Sequence, residues 1–365
     1  MKSFSSLLAH LLALAVLCAS LPSCDVHEWP VEEFGDVEYL LDLRFEGDMP
    51  LYEEVTYSRA DFSTLDNESR ALLYSHDVRY IVNAYPAAAI SKKRSAASPE
   101  RTFVFTALSG TGLDRHVRLN LPEGTWDLYV WTDYVEANTT HDKYYDTSDF
   151  ANIVYPDRES YSGSNLCRDA FRGAVTVKVT HPYRFLENQT LPDYISTVYM
   201  HRPLARYEFI STDVDEFIKY LSAYWAGKGE SRGGTDSRAL SRSDLENFRV
   251  VFRYNTYMPS AYNAFTDLPV DSWTGMSFES TMDINDEGIV LGFDHMFIED
   301  GTGGVNVSVE VYNEDNEKIA QTPSIDVPLQ RGKYTVVKGE FLSSFSTGGV
   351  IVNPGFDGDY NIEIR

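Results

Sequence analysis

Apolar and polar residues alternate with a period of two through short stretches of this chain, and glycine or proline breaks one stretch from the next. The first such stretch is Val37-Glu38-Tyr39-Leu40-Leu41-Asp42-Leu43-Arg44-Phe45. The period returns over residues 78–86, 101–108, 115–121 and 125–135, with a turn at Pro122-Glu123-Gly124 between the last two. It continues over 174–179, 206–210, 248–255, 288–293, 306–312 and 334–341, and the chain closes on 349–352 and 359–365. Successive side chains of a strand point to opposite faces, so the pattern predicts half-buried strands and, at this spacing, β-sandwiches.

One segment departs from that period. Val214, Phe217, Ile218, Leu221 and Trp225 recur at helical spacing, Asp213 and Glu216 stand three apart at the start, and Gly227 stands at the end. This predicts a helix over 213–226 that packs on the side of a sheet. The Gly-, Ser- and Arg-rich residues 228–243 that follow predict a flexible loop. The fold class is therefore all-β with one packing helix.

A faint repeat divides the chain. Asn83-Ala84-Tyr85-Pro86 echoes Asn255-Thr256-Tyr257-Met258-Pro259. Likewise the run from Leu121 through Gly124 and Trp126 to Leu128 echoes the run from Leu329 through Gly332 and Tyr334 to Val336. In each of the latter pair a glycine turn leads into alternating residues, as a hairpin requires. The simplest account is two related β-sandwich domains, 37–200 and 201–365.

Composition sharpens this picture. With 24 tyrosines and 20 phenylalanines the chain favours strands over helices. A formal net charge of −24 disfavours nucleic acid and anionic phospholipid as partners. Of the three cysteines, Cys18 and Cys24 lie near the start and Cys167 stands alone, which predicts no intramolecular disulfide once the start is removed. Cys167 is expected to be a half-buried small hydrophobe.

The first residues give an address. Lys2 precedes an apolar run over 7–19, and Leu21-Pro22-Ser23-Cys24 follows. The run is broken by His10, closed by Pro22, and falls short of the roughly 20 apolar residues that cross a bilayer. Residues 1–23 are expected to be a lipoprotein signal peptide, with Cys24 the site of lipid attachment (palmitate among the acyl chains) and 24–36 an extended tether. Two or three acyl chains, at about 0.8 kcal/mol per buried methylene, hold a protein to its membrane for good.

Chemistry-bearing motifs are sparse. Asp283-Ile284-Asn285-Asp286-Glu287-Gly288 loosely imitates a calcium loop but lacks its closing glutamate and flanking helices, and it is expected to be a solvated turn. His76, His116, His141, His181, His201 and His295 show no ligand spacing, and neither a nucleophile elbow nor a phosphate loop occurs. The chain is expected not to be an enzyme, with no catalytic, metal or cofactor residues. Trp126 and Trp131 are separated by an odd number of positions and face apart on a strand. One is expected in the core and the other exposed, which opens an alternative reading as a surface glycan-binding lipoprotein.

Several segments resemble the FimB/Mfa2 type of fimbrial anchor subunit of Bacteroidetes. They are Cys24-Asp25-Val26-His27-Glu28-Trp29-Pro30, the run from Gly124 to Tyr134, Arg168-Asp169-Ala170-Phe171-Arg172-Gly173, the run from Arg206 to Asp213 and that from Lys333 to Leu342. The resemblance spans nearly the whole chain after Ser23. It implies two tandem transthyretin-like β-sandwiches and a lipid-anchored place in the outer membrane, exposed at the cell surface. The implied partner is a fimbrial shaft subunit (pilin). Unpaired sandwich edges can accept or donate a strand, and the closing run, where Tyr360, Ile362 and Ile364 alternate with polar residues, is expected either to pair with that subunit or to be an ordinary last strand of the second domain. Only Cys24 carries over as a functional residue, and Pro22 departs from the commonest lipobox.

Overall fold

The computed structural model describes residues 35–47, 49, 75–87, 98–182, 193–228, 241–285, 288–342, 350–351 and 362–364. In chain order the first half holds β1 (Val37–Phe45), β2 (His76–Pro86), β3 (Arg101–Leu108), β4 (Arg115–Leu121), β5 (Gly124–Glu136), β6 (Ile153–Val154), β7 (Phe171–Val179) and β8 (Ile195–Met200). Then come β9 (Leu204–Ser211), α1 (Val214–Lys228), β10 (Arg249–Tyr254), β11 (Tyr257–Asn263), β12 (Leu268–Thr274), β13 (Ser277–Thr281) and β14 (Asp283–Asn285). The rest are β15 (Gly288–Phe297), β16 (Thr302–Tyr312), β17 (Lys318–Gln321), β18 (Ile325–Gln330), β19 (Tyr334–Gly339), β20 (Val350–Ile351) and β21 (Ile362–Ile364). Signal, lipidation site and tether lie outside the described residues, apart from Gly35 and Asp36.

Two sheets, β4-β1-β8 and β3-β2-β5-β7, enclose a first core. It is built by Leu41 and Leu43 of β1, Tyr80 and Val82 of β2, and Leu128 and Val130 of β5. A second core lies between β13-β10-β16-β17, with β18 also on β16, and β14-β15-β9-β19-β21-β20. There Phe209 meets Phe252 edge-on at 5.5 Å between centroids. The fold is an all-β sandwich arrangement with one long helix among the described residues.

The two cores meet through β2 and β5. Every residue of β2 up to Tyr85 is buried, and so is most of β5. Their even-numbered residues face the first core; Ile81, Tyr85, Tyr129 and Trp131 face the second. A small third sheet, β12-β11-β6, joins the halves by pairing Ala261 with Val154. Trp131 stands against Tyr145 at 5.5 Å and Tyr262 at 6.2 Å.

Both glycine turns of the sequence repeat arch between sheets and close no hairpin. β4 pairs with β1 whereas β5 lies in the other sheet, and β18 pairs with β16 whereas β19 joins β9. The helix runs to Lys228, two residues past the expected end, so Gly227 lies inside it. Val214, Phe217 and Leu221 are its buried stripe, and Phe217 meets Phe248 at 6.5 Å. The side chain of Trp225 lies outside the described set. Of the expected loop, 229–240 is not described, and Arg242 and Ser243 open a short 3-10 turn that ends at Asn247.

Candidate functional site

Arg168 to Gly173, a run with no hydrophobic periodicity of its own, ties the two cores together. Arg168 ends a 3-10 turn whose Asn165 side chain accepts from Cys167 N, and this aims its guanidinium into the second core. There it ion-pairs with Asp294 of β15 and lies over the rings of Tyr161 (4.2 Å) and Tyr155 (4.7 Å). Asp294 also accepts from Tyr161 Oη at 2.6 Å and Tyr254 Oη at 2.5 Å, and Tyr254 bonds Tyr207 Oη at 2.8 Å. Burial lifts the Asp294 carboxyl above its ordinary range against the downward pull of Arg168. Such a pair is costly to break, because the survivor is left charged and dry. Next door, burial and then the nearby Arg206 and Arg168 charges hold His295 well below the usual imidazole value.

The other members of the run make a second tie. Asp169 accepts from Arg202 Nε through both oxygens at 3.0 Å, and Arg202 lies 4.4 Å over the Phe171 ring. Arg172 donates to Ala264 O at 2.9 Å. Gly173 has no alternative, since a Cβ there would sit 2.5 Å from Met200 Sδ and 2.6 Å from Val198 Cγ1, where β7 closes on β8. Asp267 gathers Arg331 (Nη1 at 3.2 Å), His201 (3.3 Å) and the Tyr262 hydroxyl. Burial pushes its carboxyl up, but the hydrogen bonds from His201, Arg331 and Tyr262 outweigh that and hold it well below the usual range.

The sheet edges differ in how they are guarded. β12 carries Pro269, which has no N–H to offer, and β13 carries Glu279. β4 carries Arg115, His116 and Arg118, with Arg118 beside Glu38. β7 and β8 are bridged to each other where Arg172 meets His201. β3 is different. It pairs with β2 in unbroken register, Asp77 with Leu108 through Ala84 with Arg101, and ends its sheet. Beyond Arg101 it bears no charge, and Val104 and Leu108 are 43% and 68% exposed. Among the described residues no strand pairs with its outer side. A long, straight, uncharged edge is a template for another strand.

Residues singled out from sequence fare variously. Cys24 lies outside the described residues. Trp126 and Trp131 do face apart, yet both are buried, because β5 has a core on each side; the expected exposed tryptophan is not there. Cys167 is wholly buried, more than the half-burial expected, and burial pushes its thiol up to about 12. Asp283 to Asn285 pair with Gly288 to Val290 as a tight hairpin, Asp286 and Glu287 lie outside the described residues, and Asp294 is spent on Arg168. His76 bonds Tyr144 Oη at 2.7 Å, and His116 reaches Asp42 at 2.9 Å. Among the described residues no group of three or more His, Cys, Asp or Glu could hold a metal ion. No described helix is long and apolar enough to cross a membrane.

The buried arginines escaped sequence reading. Arg79, on β2, is clamped by Asp133 at 2.9 and 2.7 Å in a fork that also holds Thr140 O. The signal was present: Arg79 and Asp133 interrupt two of the most apolar strands, where an unpaired charge would not be tolerated.

A family model described as a family of unknown function (DUF6562) matches residues 36–365. No curated protein matches the sequence. Among solved structures, the fimbrial anchor protein Mfa2 from Porphyromonas gingivalis is similar over 90% of this chain and 97% of its own, at 9% identity and a TM-score of 0.38. A fimbrial assembly protein from Parabacteroides distasonis ATCC 8503 is similar over 90% and 98%, at 13% identity and a TM-score of 0.38. The first is of the type that the sequence segments resemble. Likeness at this level says nothing about function.

Proposed function

We propose that this chain, which belongs to the DUF6562 family of unknown function, is a lipid-anchored fimbrial subunit of the outer membrane that holds a neighbouring pilin by strand pairing. The observation that carries the reading is the open edge of β3. Where β4, β12 and β13 bear charge or proline on their edges, β3 offers an edge in unbroken register that is uncharged from Thr102 to Leu108 and so able to accept a strand. Main-chain hydrogen bonds supply affinity in such a complex, and side chains beside Val104 and Leu108 supply register.

The amino-terminal residues support the other half of the reading. An acylated Cys24 followed by a tether over 24–36 would let the first strand stand up to about 45 Å from the membrane when fully extended. The strong negative charge suits a soluble ectodomain that does not lie on an anionic surface. The chain's own last strand, β21, pairs with β19 and β20 in the second sandwich, so it completes a sheet of this molecule. The reading therefore puts the acceptor on β3 rather than at the chain's end.

Fractionating cells that carry Cys24→Ser tests the anchor. The proposal expects the variant in the soluble fraction, with its pilin partner lost from the membrane. Retention of both in the outer membrane contradicts it.

A further inference from the structure

A cleft of about 520 Å³ opens where the ends of β1 and β8 meet the turn from β18 to β19, and no residue of β3 lines it. Its floor is rigid. Arg202 Nη1 donates to Gly47 O at 2.7 Å, Arg331 Nε donates to Arg202 O at 3.0 Å, and Phe45 and Met200 close the base. Gly332, at φ +66, makes one wall of bare backbone.

The rim is less occupied than the floor. Tyr199 is 76% exposed and stands beside Arg44 in the parallel register of β1 and β8. Its hydroxyl has no partner among the described residues, nor has the carboxylate of Asp300 across the cleft. Arg44 spends Nε on Asp42 and Nη1 on Asp114, which leaves Nη2 for solvent. An exposed ring with its hydroxyl, a carboxylate and a guanidinium edge thus line one concavity within the usual size range of small-molecule sites.

Charge decides what fits. The lining holds the guanidiniums of Arg44, Arg202 and Arg331 against the carboxylates of Glu46, Asp267 and Asp300. Within the cleft this balance favours neither an anion nor a cation, and the chain's net charge of −24 repels a phosphate or an acidic peptide from further away. It suits a neutral ligand with several hydroxyls, which Arg44 Nη2, the Asp300 carboxylate and the Tyr199 hydroxyl can bind, and a flat C–H face to lie on the tyrosine ring. We infer that this cleft binds a neutral saccharide residue through Tyr199, Arg44 and Asp300, an activity independent of strand capture.

The test is saturation-transfer NMR and titration calorimetry on the folded chain. The probes are methyl glycosides of glucose, galactose, mannose and N-acetylglucosamine, with glucuronate and inorganic phosphate as charged controls. The inference expects at least one neutral glycoside to bind. Tyr199→Ala and Asp300→Ala should each weaken it about tenfold with the melting temperature unchanged, and Tyr199→Phe should keep most of the affinity. Binding of none of the neutral probes overturns it. So does binding that survives both alanine variants, or preference for phosphate or glucuronate.

Discussion

In the first sandwich the core is largely aliphatic and one edge, β3, is left open; in the second the core is richer in aromatic rings and the edge strand β13 carries charge. β2 and β5 pack Val78, Val82, Leu128 and Val130 on one side. The facing side of the second core holds Trp131, Tyr145, Tyr262 and Phe297, with Arg168 and Asp294 buried beside them. The second sandwich also takes in the chain's last strand. Buried rings and ion pairs fix geometry through direction as well as area, whereas aliphatic packing fixes mainly volume. On the proposed function, the buried rings and ion pairs hold the second half and the open β3 edge of the first half takes the strand.

The largest effect is expected at Arg168. Arg168→Ala leaves Asp294 buried without its counter-charge and should cost about 3–5 kcal/mol in urea unfolding. An equal loss from Arg44→Ala, itself about half exposed, would erase the distinction between the buried tie and a surface pair. Next comes Gly173→Val, which drives methyls into Val198 and Met200 and should cost about 1–3 kcal/mol or more. If β7 and β8 accept valine without loss, their close approach is not what closes that edge.

A smaller effect sharpens the contrast between edges. Val104→Lys with Thr106→Lys places charge on β3 and should weaken capture of the partner about tenfold, about 1.4 kcal/mol, with little change in melting temperature. The matched change Ser277→Lys on β13 should leave capture unaltered. The smallest effect depends on pH. Asp267 is held below its unfolded value, so the stability it contributes is complete above about pH 4 and is lost as pH falls through the folded value. The stability gap between the wild type and Asp267→Asn should therefore narrow below about pH 4, and a gap constant down to pH 2 would contradict the assignment.

Strands with clean alternation were legible, and β1, β3 and β4 fall where the pattern puts them. β8, β12 and β13 were not, because Ser196, Thr197, Pro269 and Ser277 blur the hydrophobic contrast in short edge strands. The two-sided burial of β5 was hidden for a different reason. Parity places Trp126 and Trp131 on opposite faces, but only a second core brought from Tyr262 and Phe297 decides that both are covered. The ties of Arg168 and Asp267 span more than 60 residues of sequence, and no local pattern announces a partner so distant. The tether and Cys24 remain sequence expectations. The β3 edge is visible in its uncharged run, although only the sheet order reveals that nothing described pairs with it.

The proposed function requires that β3 receive a strand. A photo-crosslinking amino acid placed at Thr106 in the cell-borne protein should yield an adduct with a second polypeptide, and the same group at Ser277 on β13 should yield none. Adducts from Ser277 alone, or from neither position while fimbriae assemble, would contradict it.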